Sequence, residues 1–404
     1  PRISFKWYAS ENTTVRGGIG KFSGGSPGVW ISNSYSNDGV ISDSSNVDGV
    51  VNVPTSADAA TGQYIPADVL AALANEAPDG SVNALSPDFE IPTTTKFSIG
   101  VAHQTDLWTL GEDWLLSADV LYNTLENTPY WYDQRCERPV STAPDGRGVY
   151  DCGGAPEAIV VGSFNGGEST LFALSAKKEW DTKAGRFDLF ASYTHADIKD
   201  IGYGTSSTAT SNYSDFAAYD RQSPREGISN FQVEHMLKIR VNWSKELIPG
   251  YETRVSLFAT RRSGQPYSYT FSENNNCVLD VGGGRCPRES RNDDAGHLLY
   301  VPAGINDPLF SPASFGGDAA AQPAFIDHID RSELAQYRGG IAPRNNDNSR
   351  MTTIVDLRLQ QELPTLSSDH SFKLFIDIEN LGNLLNDDWG RIERTRYEYE
   401  RDVA

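Results

Sequence analysis

Nine connections that alternate short and long constrain this chain more than any single motif. Ten segments show two-residue periodicity, near 2–8, 14–22, 93–104, 113–124, 169–180, 186–196, 231–244, 251–262, 351–362 and 371–381. Successive side chains of a strand point to opposite faces, so each segment reads as a two-faced strand. The links are short at 8–14, 104–113, 180–186, 244–251 and 362–371, and long at 22–93, 124–169, 196–231 and 262–351. An antiparallel run of these strands therefore collects every long loop at one end.

The faces are explicit. Leu237, Ile239, Val241 and Trp243 share one side of their segment, and Lys238, Arg240, Asn242 and Ser244 share the other. Phe187, Leu189, Ala191 and Tyr193 repeat the pattern, as do Phe372, Leu374, Ile376 and Ile378. A soluble sandwich would put the apolar face in a core. An outer-membrane barrel turns it to lipid and its polar face to a wet lumen, with tight turns at one end and long loops at the other. Sandwiches and propellers have no reason to gather their long loops, and a parallel β/α barrel needs a helix after each strand. The convincing helix, "PADVLAALANEAPDG" at 66–80, lies inside the first long loop. The expectation is an all-β, antiparallel transmembrane β-barrel with long extracellular loops. Trp114, Tyr122, Trp180, Trp243 and Tyr251 fall where interfacial aromatic girdles belong.

Composition fits. No run of eighteen apolar residues exists to form a membrane helix, but barrel strands span with about ten alternating residues. Gly (36) and Tyr (18) are frequent in the 404 residues, as in a β protein with polar loops. The net charge of −20 makes nucleic acid a poor partner, since phosphates require clustered Lys and Arg. The four cysteines form two local pairs, Cys136 with Cys152 and Cys277 with Cys286, each flanking a Gly-, Asp- or Pro-rich loop. Neither pair has zinc-ligand spacing, and no histidine lies close. Two sequential disulfides are expected, hence an oxidising compartment. Loops of 35 to 90 residues suit the largest barrels, and an open ten-stranded sheet would leave two bare edges. The chain therefore reads as part of a larger barrel, with residues 1–404 a single barrel portion.

Several stretches carry a family likeness: "GGIGKFSGGSPGVWISNSYSNDG" (17–39), "SPREGISN" (223–230), "FATRRSGQPYSYTF" (258–271) and "FIDIENLGNLLNDDWG" (375–390). The sequence resembles the C-terminal half of a TonB-dependent outer-membrane receptor of the Oar-like group, whose members carry a carboxypeptidase-regulatory-like domain. The most specific match is Glu379-Asn380-Leu381-Gly382-Asn383, which resembles the turn after the family's penultimate strand. The resemblance implies a 22-stranded barrel in a Gram-negative outer membrane, with a plug, the early strands and the last strand outside this sequence. It also implies a TonB complex as partner, engaged through a region N-terminal to this chain.

No catalytic constellation or cofactor motif stands out, so the chain is expected not to be an enzyme. The six histidines are scattered along the sequence; "DHIDRSE" around His328 and the Asn/Asp-rich 291–297 and 344–350 match ordinary loop chemistry better than metal-binding spacing. The expected role is active import of a scarce extracellular ligand, peptide- or oligomer-like given the large loops. The alternative is a structural or adhesive barrel displaying interaction loops. Aromatics among small polar residues make adaptable recognition surfaces, and paired guanidinia suit a carboxylate or phosphate. Trp131, Tyr132, Arg261, Arg262 and Tyr267 are the candidate ligand contacts.

Overall fold

A computed structural model describes residues 1–24, 28–37, 81–136, 138–150, 152, 157–202, 204–214, 216–271, 296–310, 320–364, 370–393, 395 and 400–403. The expected helix at 66–80 and the Cys277–Cys286 pair lie outside the described residues.

Ten strands form one antiparallel sheet in which each pairs with the next in the series. They are β1 (Arg2–Ser10), β2 (Thr13–Ser23), β3 (Thr93–Thr105), β4 (Trp114–Glu126), β5 (Glu168–Thr182), β6 (Gly185–Asp200), β7 (His235–Ile248), β8 (Tyr251–Arg262), β9 (Thr352–Leu363) and β10 (Phe372–Ile378). All ten expected segments are strands, and short links alternate with long ones throughout.

Turn chemistry explains the tight end. Gly250 follows Pro249 at φ 82°, a left-handed conformation that costs glycine nothing. Gly185 sits at φ 132°, and a Cβ there would lie 2.6 Å from Trp243 Nε1 and 2.7 Å from Ser244 O.

Register then aligns the faces. Paired residues share a face, so Trp7, Val15, Val101, Ala118, Leu174, Tyr193 and Leu237 form one cross-strand row. Ala176, Ala191, Ile239, Ala259 and Val355 form another on the same side. This apolar face is uncovered: Ile3, Phe5, Trp7, Ile99, Leu174 and Leu374 are all exposed. It ends toward the short turns in tryptophan. Trp114 packs edge-on against Trp180 at 5.8 Å, and Trp243 Nε1 donates to Ala184 O at 3.0 Å.

The opposite face carries paired charge. Arg16 meets Asp119 in a two-pronged ion pair at 2.8 and 3.0 Å. Asp188 accepts from Arg240 at 3.1 Å and from Asn242 at 2.9 Å. Glu179 pairs with both Lys177 and Arg186, and Arg358 pairs with Asp377 at 2.6 Å. The face opposite the apolar rows is thus polar and charge-balanced.

Boundaries shift most at three strands, the first of which, expected at 186–196, runs on to Asp200. The strand expected at 231–244 runs from His235 to Ile248. Gln232 leaves the ladder and its side chain accepts from Ile198 N–H at 2.6 Å. The last strand stops at Ile378, not near 381, because Asn380 turns left-handed (φ 52°) and its N–H bonds Asp356 Oδ1 at 2.8 Å. A short helix, Leu381–Leu385, follows.

Candidate functional site: the long-loop layer

The long links fold into a layer with cores of its own. Thr128–Asp133 pairs antiparallel with Ala158–Phe164, which takes Val82–Leu85 on its other edge in parallel. Strand alternation splits the aromatic run "YWYD". Trp131 and Asp133 turn inward, while Tyr130 and Tyr132 stack on the other side at 5.4 Å between ring centroids. Trp131 is 1% exposed and packs with Ile159, Val161, Ala209 and Tyr213, and Trp30 meets it edge-on at 5.6 Å. Burial, then the neighbouring Tyr132, raises the pKa of Tyr130. Beside this core Cys136 and Cys152 form a disulfide against Tyr150.

A second core gathers Tyr267, Tyr269, Leu299, Val301 and Leu334 with Phe325 and Ile329 of the helix Ala321–Arg331. The strand Pro266–Phe271 is buried on both faces, so the hydroxyls of Tyr267 and Tyr269 need partners. Both donate to Asp347 Oδ2, at 2.8 and 3.0 Å. Burial, reinforced by Tyr267 and the Asp347 carboxylate, holds the Tyr269 hydroxyl far above the usual tyrosine range.

Separate links are tied to one another. Trp30 Nε1 in the first donates to Ser206 O in the third at 2.9 Å. Arg147 of the second, ion-paired to Asp145 with both side chains buried, donates to Leu298 O of the fourth at 2.9 Å. Arg344 of the fourth pairs with Asp200 at 2.6 Å, where β6 enters the third. The described parts of the four links thus make one connected layer at one end of the sheet.

Cavities open within that layer. One of about 310 Å³ is walled by Phe216, Tyr219, Leu298 and Ile341, with Arg225 and Arg344 on it beside Asp145, Asp220 and Glu226. Arg225 lies over the Tyr219 ring at 3.5 Å. Arg344 is 5% exposed, and its Nη1 has no hydrogen-bond partner among the described residues. A second, of about 400 Å³, is lined by Asn230, Gln232, Arg262 and Gln265.

The expected ligand contacts do not converge. Trp131 serves a loop core, and Tyr132 stacks on Tyr130. Tyr267 lies in the other core with its hydroxyl on Asp347. Arg261 and Arg262 point to opposite faces: Arg261 pairs with Leu237 on the apolar side, and Arg262 pairs with Met236 on the polar side. Arg225, Arg344 and Asp347 escape a sequence scan because only folding brings each to its partner: Arg225 to the Tyr219 ring, Arg344 to Asp200 in another link, and Asp347 to tyrosines 80 and 78 residues before it. The nearest signal is an isolated Arg or Asp in a Pro/Asn-rich loop.

Residues 1–386 match the outer membrane beta barrel domain family. The chain belongs to this family. This β-barrel domain therefore lies in the outer membrane of a Gram-negative bacterium, with the apolar sheet face against lipid and the polar face toward the lumen. The short turns are periplasmic and the ordered loop layer is extracellular. No curated protein matches the sequence. Among solved structures, the crystal structure of the outer membrane transporter YddB from Escherichia coli aligns at TM-score 0.48 and 10% identity, over 94% of this chain and 36% of that one. The chain thus spans about a third of the length of that transporter.

Proposed function

We propose that this barrel domain belongs to a TonB-dependent receptor of the Oar-like type, which imports a scarce extracellular ligand by active transport. The observation that carries the reading is the loop layer. In the described parts of the four long links, one core joins the first three and another lies within the fourth, polar contacts tie them together, and cavities open among them, one of which reaches the lumenal Arg262. A passive pore has no use for so much ordered structure above its mouth, whereas a receptor must hold its ligand before moving it. The motif at 379–383 supports the TonB-dependent assignment by resemblance, with the plug and further strands supplied outside this chain. The cavity between Arg225 and Arg344 is lined also by Asp145, Asp220 and Glu226, so it offers both charges beside an apolar wall, as a zwitterionic peptide-like ligand requires.

The deciding experiment compares growth or uptake on candidate oligopeptides in cells with and without TonB, and with the proton gradient collapsed. Import requires both. Accumulation at the surface that ignores TonB and the gradient would instead support a barrel displaying adhesive loops, the reading that the same loop layer also serves.

A further inference from the structure

We propose that His195, His235 and Glu234 form a binding site for a divalent transition metal, zinc foremost, at the extracellular rim of the barrel. The two histidines are forty residues apart in sequence and directly opposite in the sheet, where β6 pairs with β7. Ala196 N–H donates to Glu234 O at 2.8 Å, so the neighbouring His195/His235 pair is a non-hydrogen-bonded one. Side chains approach most closely at such positions. The ring centroids are 5.0 Å apart.

The donor set converges. Glu234 Oε1 lies 3.5 Å from His235 Nε2 and 4.0 Å from His195 Nε2. One donor atom from each of the three residues falls within 4.8 Å of the others. Tetrahedral zinc with bonds near 2.0–2.1 Å needs donors about 3.3 Å apart. Small rotations of half-buried side chains close that gap. Two imidazoles and one carboxylate suit zinc, copper or nickel, and disfavour calcium and magnesium, which take oxygen.

Two further features point to a ligand. His235 Nδ1 is 2.8 Å from the Tyr193 hydroxyl. With Nε2 given to metal, Nδ1 carries the proton and donates to that oxygen, the outer bond that fixes a metal-binding imidazole. The site also opens on a cavity of about 610 Å³ that His195 and Glu234 line together with Asp197, Glu333, Asn346 and Asp347. Its carboxylates favour a cation, and both polar atoms of the buried Asn346 carboxamide lack a partner among the described residues. The depth is right as well. His195 lies eight residues along β6 from Phe187, about 26 Å along the strand and roughly 20 Å up at a tilt of about 40°, which sets it toward the extracellular side of the hydrocarbon band, on the face that carries Tyr193 and Leu237.

The test uses the untagged full-length receptor, extracted in detergent and stripped with a chelator, and titrates it with zinc alone against a competing chromophoric chelator. The expected result is one zinc per chain, with affinity at least tenfold weaker in His195→Ala and in His235→Ala. Tyr193→Phe should weaken it by about tenfold while the site keeps its stoichiometry. His103→Ala, whose ring sits beside Thr13 at a different place in the sheet, should change nothing. Copper(II) in the same protein should show coupling to two imidazole nitrogens. Where an alanine variant does not reach the membrane, His195→Gln and His235→Gln replace it, since glutamine keeps bulk and polarity without the imidazole. Absence of bound zinc, or zinc binding unchanged in the double histidine variant, overturns the proposal.

Discussion

Arg16 and Asp119 form a two-pronged ion pair across a strand that places no side chain between them. Their strands both flank β3, and the residue paired to each is Gly100. A Cβ at position 100 would overlap Asp119 Oδ1 and crowd Arg16 Nε. The glycine is thus needed for lumenal ion pairing, not for backbone freedom. Gly100→Ala should destabilise the barrel by about 1 kcal/mol, the modest value of a partly exposed pair. The loss should largely disappear in an Asp119→Ala background. Urea unfolding in detergent micelles checks this, and equal losses in both backgrounds would contradict it.

The assignment of faces makes a sharper prediction. Ile239 lies in the apolar row Ala191–Ile239–Ala259, midway between the Trp243 girdle and the rim at His235. Ile239→Arg should cost about 2–4 kcal/mol, the penalty of a guanidinium at the bilayer midplane. Asn242→Arg, on the lumenal face beside Asp188, should be mild. Folding into lipid vesicles measures both, and equal effects would mean that the faces are misassigned.

The disulfide between Cys136 and Cys152 closes a short loop within the extracellular layer. Chain entropy limits its contribution to about 3 kcal/mol. Reduction should expose 137–151 to protease and leave the heat-modified gel mobility of the barrel unchanged, because the ladder bonds of ten strands do not depend on it. Loss of the folded barrel band on reduction would refute that separation.

Asp347 should anchor the second loop core. Asp347→Ala removes the acceptor that two buried tyrosine hydroxyls share and leaves them their 3.3 Å contact with each other, a cost of about 1–3 kcal/mol in all. Hydrogen exchange should quicken across 266–271 and stay unchanged in β6 and β7. Tyr267→Phe/Asp347→Leu, which removes donor and acceptor together at that position, should exchange more slowly than Asp347→Ala.

A pH effect follows from Asp307. Burial works to raise its pKa, but the N–H groups of Ala303 and Leu309 and the Tyr300 hydroxyl outweigh it, so the folded value lies below the ordinary 3.8. A depressed carboxylate adds stability that is fully present above its unfolded pKa and is lost as pH falls through the folded one. The segment 300–310 should therefore stay protected at pH 5 and loosen below about pH 4. Asp307→Asn should be loose at both, as hydrogen exchange would show.

Much of the architecture was legible in the residues alone. Strict alternation at Leu237–Ser244 and the spacing of links placed ten strands, their two faces and the common end of the long loops. These properties are local: a strand's period is two, and the turns at Gly185 and Gly250 need a residue that tolerates positive φ. The outcome of the ligand contacts was not local. Trp131 looks like a recognition residue in sequence, and only packing against Trp30, Ile159 and Tyr213 makes it a core residue. Arg261 and Arg262 read as a cluster, yet a strand sends neighbours to opposite faces. His195 and His235 read as scattered, yet the register of β6 on β7 sets them side by side. Sequence determined which residues each strand offers to each face. Pairing register and loop packing, which join residues forty to two hundred positions apart, decided which of them meet.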